Sequence, residues 1–329
     1  MPANLTPQYH KAEAEYRRAN SPEERVACLQ EMLRLIPKHK GTDHLQADLK
    51  TRLKEAKLEA LSEKKAGKAG RSFRIPRQGA GTIVLIGAPN SGKSRVLGEL
   101  TNAEPQVADY PFSTHEPMPG MMPWEDASVQ LIDTPPLTAS HLEPYVLNMV
   151  RSADICALCF NGNSDDAPEE TAEVITELAN RKTKLAAESG FIEDDFSLIN
   201  VKTILVVTRA DDPGCEIRLE LLRELFEIPF PVQLVEFDRE ESRETLRNAF
   251  YEALGVIRVY TKAPGKPADY RDPFTIPQGG TVEDLAYKVH RDLVESLKYA
   301  KVWGESAHDG QSVGRDHVLA DRDLVELHG

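Results

Sequence analysis

Apolar residues recur along the chain in two rhythms, and the change between them comes near residue 80. Over the first 70 residues they stand at helical spacing, as at Val26, Leu29, Leu33 and Ile36, close to a 3.6-residue period. Ser21-Pro22-Glu23-Glu24 offers an N-cap, a proline at the first helical position and acids in the first turn. Residues 37–41 break this helix, Thr42 or Asp43 caps the next, and Leu49, Leu53 and Leu58 carry it on. The pattern predicts two antiparallel helices, with room for a third before them, and then a flexible basic linker over 64–71.

From Thr82 short β-branched runs alternate with helical stretches. Strands are predicted at 82–86, 129–132, 155–160, 203–207 and 232–236, and helices over 93–101, 169–183, 216–227 and 241–254. Such alternation means βαβ units around a mostly parallel sheet, an α/β fold whose ligands sit at the C-terminal strand ends. Six prolines between 110 and 137 predict a loop region broken only by the strand at 129–132. After Gly255 come a strand (256–260), one amphipathic helix (282–298) and short strands near 299–303, 317–319 and 324–327. One helix among several short strands suggests a small α+β module. The expected division is 1–72 for the helical hairpin and linker, 73–255 for the α/β domain and 256–329 for the last module.

Composition narrows the class. A chain of 329 residues, 40% hydrophobic and 28% charged, is long enough for two or three ordinary globular domains. No apolar run approaches the roughly 20 residues that cross a bilayer, and the start lacks the pattern of a secretory signal. A cytoplasmic location without membrane contact is expected. The net charge of −13 argues against non-specific coating of nucleic acid, and no DNA partner is expected. Residues 1–72 hold 15 Lys and Arg against 10 Asp and Glu, which leaves −18 on the rest. That basic head permits RNA contact without demanding it. Cys156 and Cys159 form a C-x-x-C pair inside an apolar run, where core packing outweighs metal or redox work.

Chemistry enters at Gly87-Ala88-Pro89-Asn90-Ser91-Gly92-Lys93-Ser94, followed by Arg95. A Gly-x-x-x-x-Gly-Lys-Ser run between a strand and a helix is a P-loop. Its backbone N–H groups wrap phosphates, Lys93 reaches the β- and γ-phosphates, and Ser94 offers a hydroxyl to Mg²⁺. Asp133 ends a strand where a carboxylate orients Mg²⁺ through water. Thr114 lies on the loop between the two and can complete the Mg²⁺ shell only while a γ-phosphate is present, the behaviour of a switch. Thr208-Arg209-Ala210-Asp211 follows a strand. Asp211 can accept from N1–H and the 2-amino group of guanine, which adenine lacks, and the Arg209 stem can pack along the base. Asp212 next to it reads as a solvated acid. The ligands expected are GTP and GDP; an ATPase or small-molecule kinase is disfavoured by Asp211.

These motifs together resemble the Obg–HflX superfamily of GTPases, and within it the developmentally regulated GTP-binding branch. Thr208–Asp211 is similar to that family's guanine motif with Arg in place of Lys. Residues 108–114 with Pro117 and Gly120 resemble its first switch. Val259–Lys262, Thr281–Asp284, Tyr299–Gly304 and Val313–His317 resemble its TGS domain. The resemblance implies a Ras-like P-loop G domain with a C-terminal ubiquitin-like β-grasp, and a GTPase acting with ribosomes or RNA-bound translation factors. It also implies a fifth signature at Glu236-Phe237, whose backbone N–H could meet guanine O6, and a monovalent-cation (K⁺) ligand at Asn90. The chain departs from the family at Asp133-Thr-Pro-Pro136, where a glycine N–H normally meets the γ-phosphate, and Leu137 cannot orient water. Hydrolysis is therefore expected to be slow, and a GTP-dependent binding module with negligible hydrolysis stands as the alternative.

Overall fold

Three helices open the chain: α1 (Pro7–Arg18), α2 (Pro22–Leu35) and α3 (Asp43–Ala66). The structure, a computed structural model, describes residues 5–19, 22–37, 42–66, 75–102, 116–138, 142–192 and 195–329. The Ser21 cap, the helix break at 38–41, most of the basic linker and Thr114 lie outside them. Thr6 caps α1 by accepting from the Tyr9 N–H at 3.2 Å. Tyr9, Leu29, Met32 and Leu49 are fully buried between the three helices, so the expected hairpin is a three-helix unit.

The central domain contains β1 (Thr82–Ile86), α4 (Lys93–Leu100), β2 (Met118–Trp124), β3 (Ala127–Asp133), α5 (Pro144–Ser152), β4 (Ile155–Asn161), α6 (Ala167–Asn180), β5 (Thr183–Ala186), β6 (Gly190–Ile192), β7 (Asp195–Thr208), α7 (Cys215–Leu225), β8 (Val232–Val235) and α8 (Glu240–Leu254). Its sheet runs β2-β3-β1-β4-β7, and β8 pairs with the C-terminal end of β7. The pairs β3-β1, β1-β4, β4-β7 and β7-β8 are parallel, and β2 is antiparallel to β3. All five residues of β1 are buried, as a central parallel strand covered on both faces requires. Two apolar clusters flank the sheet, one under α5, α6 and α7, the other under α4 and α8.

Two elements correct the expected pattern. Residues 118–124 form β2 despite Pro119 and Pro123. An edge strand tolerates proline because the missing N–H faces away from its one neighbour. The strand expected at 203–207 runs back to Asp195, and its first half pairs with β5 and β6. Cys156 and Cys159 are fully buried in the opposite clusters. An i, i+3 pair in a strand points to both faces, so they pack and cannot share an ion.

The last module holds β9 (Val256–Thr261), β10 (Asp269–Pro277), α9 (Val282–Val289), α10 (Arg291–Ser296), β11 (Tyr299–Trp303), β12 (Gln311–Val313) and β13 (Asp323–His328). The strand order is β10-β9-β13-β11-β12, with β9 and β13 parallel, the layout of a β-grasp. Thr281 and Asp284 form a reciprocal capping box at the start of α9. The single helix expected over 282–298 is broken at His290, which is extended. The strand expected at 317–319 is only an isolated bridge from Val318 to Thr281; the strand lies at 311–313. No helix among the described residues is long and apolar enough to cross a membrane.

Candidate nucleotide site

The C-terminal ends of β1, β3 and β7 meet at the P-loop. Gly87 follows β1 with φ 151°, and a Cβ there would stand 2.6 Å from Ser91 Oγ and 2.7 Å from the Cys159 carbonyl. Gly92 caps α4 with φ 93°, and a Cβ there would meet the Thr208 side chain at 2.8 Å. Only glycine suits both positions. Asn90 also has positive φ, at 57°, which its short polar side chain tolerates, and it is exposed at the mouth of the loop.

Lys93 is 5% exposed. Its ammonium donates to the carbonyls of Gly87 (3.0 Å) and Ala88 (2.8 Å) and reaches Ser91 Oγ at 3.3 Å. Burial pushes its pKa down, and the Asp133 charge opposes that. A buried cation at the N-terminus of a helix is stabilised by an anion bound there.

Ser94 Oγ donates to Asp133 Oδ2 at 2.6 Å. The other oxygen, Asp133 Oδ1, is buried without a hydrogen-bond partner among the described residues. Burial pushes the Asp133 carboxyl up, against the Ser94 hydrogen bond, the Lys93 charge and the Thr134 N–H. An unpaired buried carboxylate oxygen beside a serine hydroxyl suits a hard cation such as Mg²⁺. Among the described residues no group of three or more His, Cys, Asp or Glu could hold a metal ion. Mg²⁺ bound mainly by water and phosphate oxygens needs no such group.

Beyond Asp133 the chain is pinned. Thr134 Oγ1 donates to the Leu85 carbonyl at 2.7 Å, and the Leu137 N–H donates to the Gly87 carbonyl at 3.1 Å. The Leu137 side chain is 3% exposed and belongs to the apolar cluster under α5–α7. It faces the core and not a reacting water.

The base motif is tied to the P-loop. Buried Thr208 donates through Oγ1 to the Ser91 carbonyl (3.0 Å) or that of Phe160 (3.2 Å). Arg209, with φ 53°, donates to Asn161 Oδ1 at 2.8 Å and to the Asn90 carbonyl at 3.4 Å. Beside it opens a pocket of ≈ 370 Å³ lined by Arg95, Asn163, Arg209, Asp211, Asp212, Pro213, Glu236, Phe237 and Asp238. The Asp211 carboxylate is exposed at this pocket, with no hydrogen-bond or ion-pair partner among the described residues. Phe237 is buried beneath Arg95, whose guanidinium stands 5.3 Å from the ring centroid and pairs with Asp238 at 2.9 Å. The Glu236 N–H donates to Ser242 Oγ at 3.0 Å.

Asp212 is a correction. It is no solvated acid: it accepts from the Gly214 N–H (2.8 Å), Arg218 (2.6 Å) and the Asn163 amide. Arg218, then the Gly214 N–H and Asn163, hold its carboxyl below the usual range. Arg218 also reaches the Gly162 carbonyl and Asp165. This network clamps the turn carrying Asp211 against the end of β4. Two adjacent acids look alike in a sequence; the fold leaves one exposed at the pocket and ties the other into the turn.

Comparisons with known proteins bear on the fold and the family. The family model described as a 50S ribosome-binding GTPase matches residues 82–217, and that of the TGS domain matches 257–328. An uncharacterized GTP-binding protein of Methanocaldococcus jannaschii is 27% identical, over 93% of this chain and 92% of its own length. Developmentally-regulated GTP-binding protein 1 of Xenopus laevis is 24% identical, over 92% and 98%. The YchF GTPase of Schizosaccharomyces pombe, at 12% identity, shares the fold with a TM-score of 0.51, over 77% of this chain and 99% of that one.

Proposed function

We propose, from the premise that this chain belongs to the developmentally regulated GTP-binding branch of the Obg-like GTPases, that it is a slow, Mg²⁺-dependent GTPase switch acting on the ribosome or an RNA-bound translation factor. The observation that carries the reading is the alignment of three groups. Buried Lys93, the Ser94–Asp133 pair with its free Oδ1, and Asp211 at the base pocket lie along one line of strand ends.

Each residue has a role in this reading. The backbone of 87–92 wraps the phosphates, with Lys93 neutralising them. Ser94, with Asp133 acting through water, would hold Mg²⁺, whose charge offsets that developing between the β- and γ-phosphates. Thr114 would join them only in the GTP form. Asn90 would offer its side chain to K⁺ beside the phosphates. Arg209 and Asp211 would take the guanine, with the Phe237 N–H at O6.

Slow turnover follows from the second switch. Pro136 has no N–H, and the Leu137 N–H is already given to Gly87. Neither amide is available to the γ-phosphate, and Leu137 is in the core. The same observation favours a second reading, a GTP-dependent binding module with negligible hydrolysis. The matched GTPase model is described by ribosome binding and a GTPase needs a soluble working compartment to meet it, so the cytoplasm is the proposed location. Co-sedimentation with purified ribosomes tests the partner: more protein should pellet with a non-hydrolysable GTP analogue than with GDP, and equal pelleting contradicts the switch. Single-turnover hydrolysis with and without ribosomes separates the two readings.

A further inference from the structure

The β2–β3 hairpin has its two ends in different places. At one end Asp133 pairs across the strands with Met118 and carries the carboxylate beside Ser94. At the other, about 20 Å away along seven residues of strand, Trp124, Glu125, Asp126 and Ala127 make the turn. Glu125 sits there with φ 48°. β1 supports β3 from Gln130 to Asp133, and residues 79–80 before it reach Val129 by a bridge and the Ser128 carbonyl through the Ala80 N–H at 2.8 Å, so the turn at 124–127 projects past the sheet.

The tip is held from two sides, by the TGS domain and by α8, whose Asn248 accepts from Trp124 Nε1 at 2.7 Å. Arg258 of β9, 3% exposed, donates through one guanidinium nitrogen to Glu125 and to Asp126 Oδ1 (2.7 Å). Its other nitrogens grip Asp321 of its own domain at 2.7 and 3.2 Å. Tyr260 donates its hydroxyl to Asp126, and Arg322 reaches Glu125 at 2.6 Å. On the other side Trp124 stacks on Tyr251 of α8 with centroids 3.5 Å apart. A buried guanidinium whose N–H donors are spent on three carboxylates is held in one orientation, because each hydrogen bond fixes its planar fork.

We propose that Arg258 is a positioning residue of the nucleotide site: through Glu125 and Asp126 the TGS domain holds the β2–β3 hairpin, and with it Asp133, in the place that the γ-phosphate form requires. The inference rests on the GTPase reading above. A strand pair is stiff along its length, so where the tip sits constrains where Asp133 sits. GDP depends less on that carboxylate than GTP with its Mg²⁺ does. Coupling of this kind is reciprocal: if the grip favours the GTP form, the GTP form tightens the grip. A partner bound to the TGS domain then alters nucleotide preference without touching the nucleotide.

The test uses the full chain with Glu125→Ala and Asp126→Ala together, which removes the carboxylate contacts of the tip with the TGS domain and keeps Arg258 on Asp321 and over Trp124. Kd is measured for fluorescent GDP and for a fluorescent non-hydrolysable GTP analogue in Mg²⁺. The analogue should weaken by about fivefold or more while GDP stays within about twofold. The charge-conserving Glu125→Asp with Asp126→Glu should restore most of the ratio. An unchanged ratio, with both nucleotides bound, overturns the positioning role and leaves the GTPase reading intact. Failure of the unaltered chain to bind either nucleotide overturns the GTPase reading itself. If the double variant does not fold, Tyr260→Phe removes a single O–H from the same grip. A shift in the ratio of about twofold or more there supports the proposal, and no shift overturns it.

Discussion

Thr208 Oγ1 lies 3.0 Å from the Ser91 carbonyl oxygen, so the first residue of the base motif is bound to the loop that wraps the phosphates. The hydroxyl is buried and also faces the Phe160 carbonyl. Base pocket and phosphate loop therefore form one unit, across 117 residues of sequence.

Thr208→Val keeps the shape and removes the donor. Leaving a buried carbonyl unsatisfied costs about 1–3 kcal/mol. GDP affinity should fall roughly tenfold, measured by displacement of a fluorescent nucleotide. Affinity equal to that of the unaltered chain would mean the two halves of the site are independent.

Asp133→Asn removes the charge at Oδ1, which has no hydrogen-bond partner among the described residues. Groups that hold a metal through an intervening water typically change its affinity by about 10–100-fold. The Mg²⁺ concentration for half-maximal GTP-analogue binding should rise by about that factor. An unshifted Mg²⁺ titration would remove Asp133 from the metal shell.

Asp211→Asn exchanges an acceptor for a donor at the base pocket. A lost charge-assisted hydrogen bond is worth about 1.5–3 kcal/mol, so GTP should weaken by about tenfold or more while XTP gains. The check is direct competition between the two nucleotides; retained preference for GTP would place the base elsewhere.

The grip on the hairpin tip carries a pH signature. Hydrogen bonds from Arg258 and Arg322 hold the Glu125 carboxyl below its ordinary 4.5. Burial raises the Asp126 and Asp321 carboxyls, but their hydrogen bonds, from Tyr260 and Arg258 to Asp126 and from Arg258 to Asp321, outweigh it and leave both below 3.8. Groups with lowered folded pKa values stabilise the fold above their unfolded values and lose that contribution as pH falls through the lowered ones. The contribution is thus complete above about pH 5 and fades below about pH 4. The urea midpoint should drop further between pH 6 and pH 3.5 in the unaltered chain than in Glu125→Gln with Asp126→Asn. Equal drops would mean the grip is not charged.

The P-loop was legible because glycine spacing, the strand before it and the helix after it agree. The strands at 82–86 and 155–160 were legible because buried parallel strands read as unbroken apolar runs. β2 was hidden by Pro119 and Pro123, which mark a loop in general and are harmless on an edge. β10 was hidden by its polar start and by the register shift between Asp269 and Phe274, which breaks the alternation. The stop at His290 carries neither Gly nor Pro, so nothing local announces it. The grip of Arg258 on Glu125 joins residues 133 positions apart, and no local pattern encodes it; Asp212 is held mainly by Gly214 and Arg218, two and six residues on, a local turn that an adjacent pair of acids conceals.

The central claim is that this pocket selects guanine nucleotides. Isothermal titration of the full chain in Mg²⁺ with GDP, a non-hydrolysable GTP analogue and the matching ATP analogue tests it. Two charge-assisted hydrogen bonds to Asp211 that adenine cannot make should leave the ATP analogue about a hundredfold weaker or more. Comparable affinity for the ATP and GTP analogues, or no binding of GDP, would contradict the account.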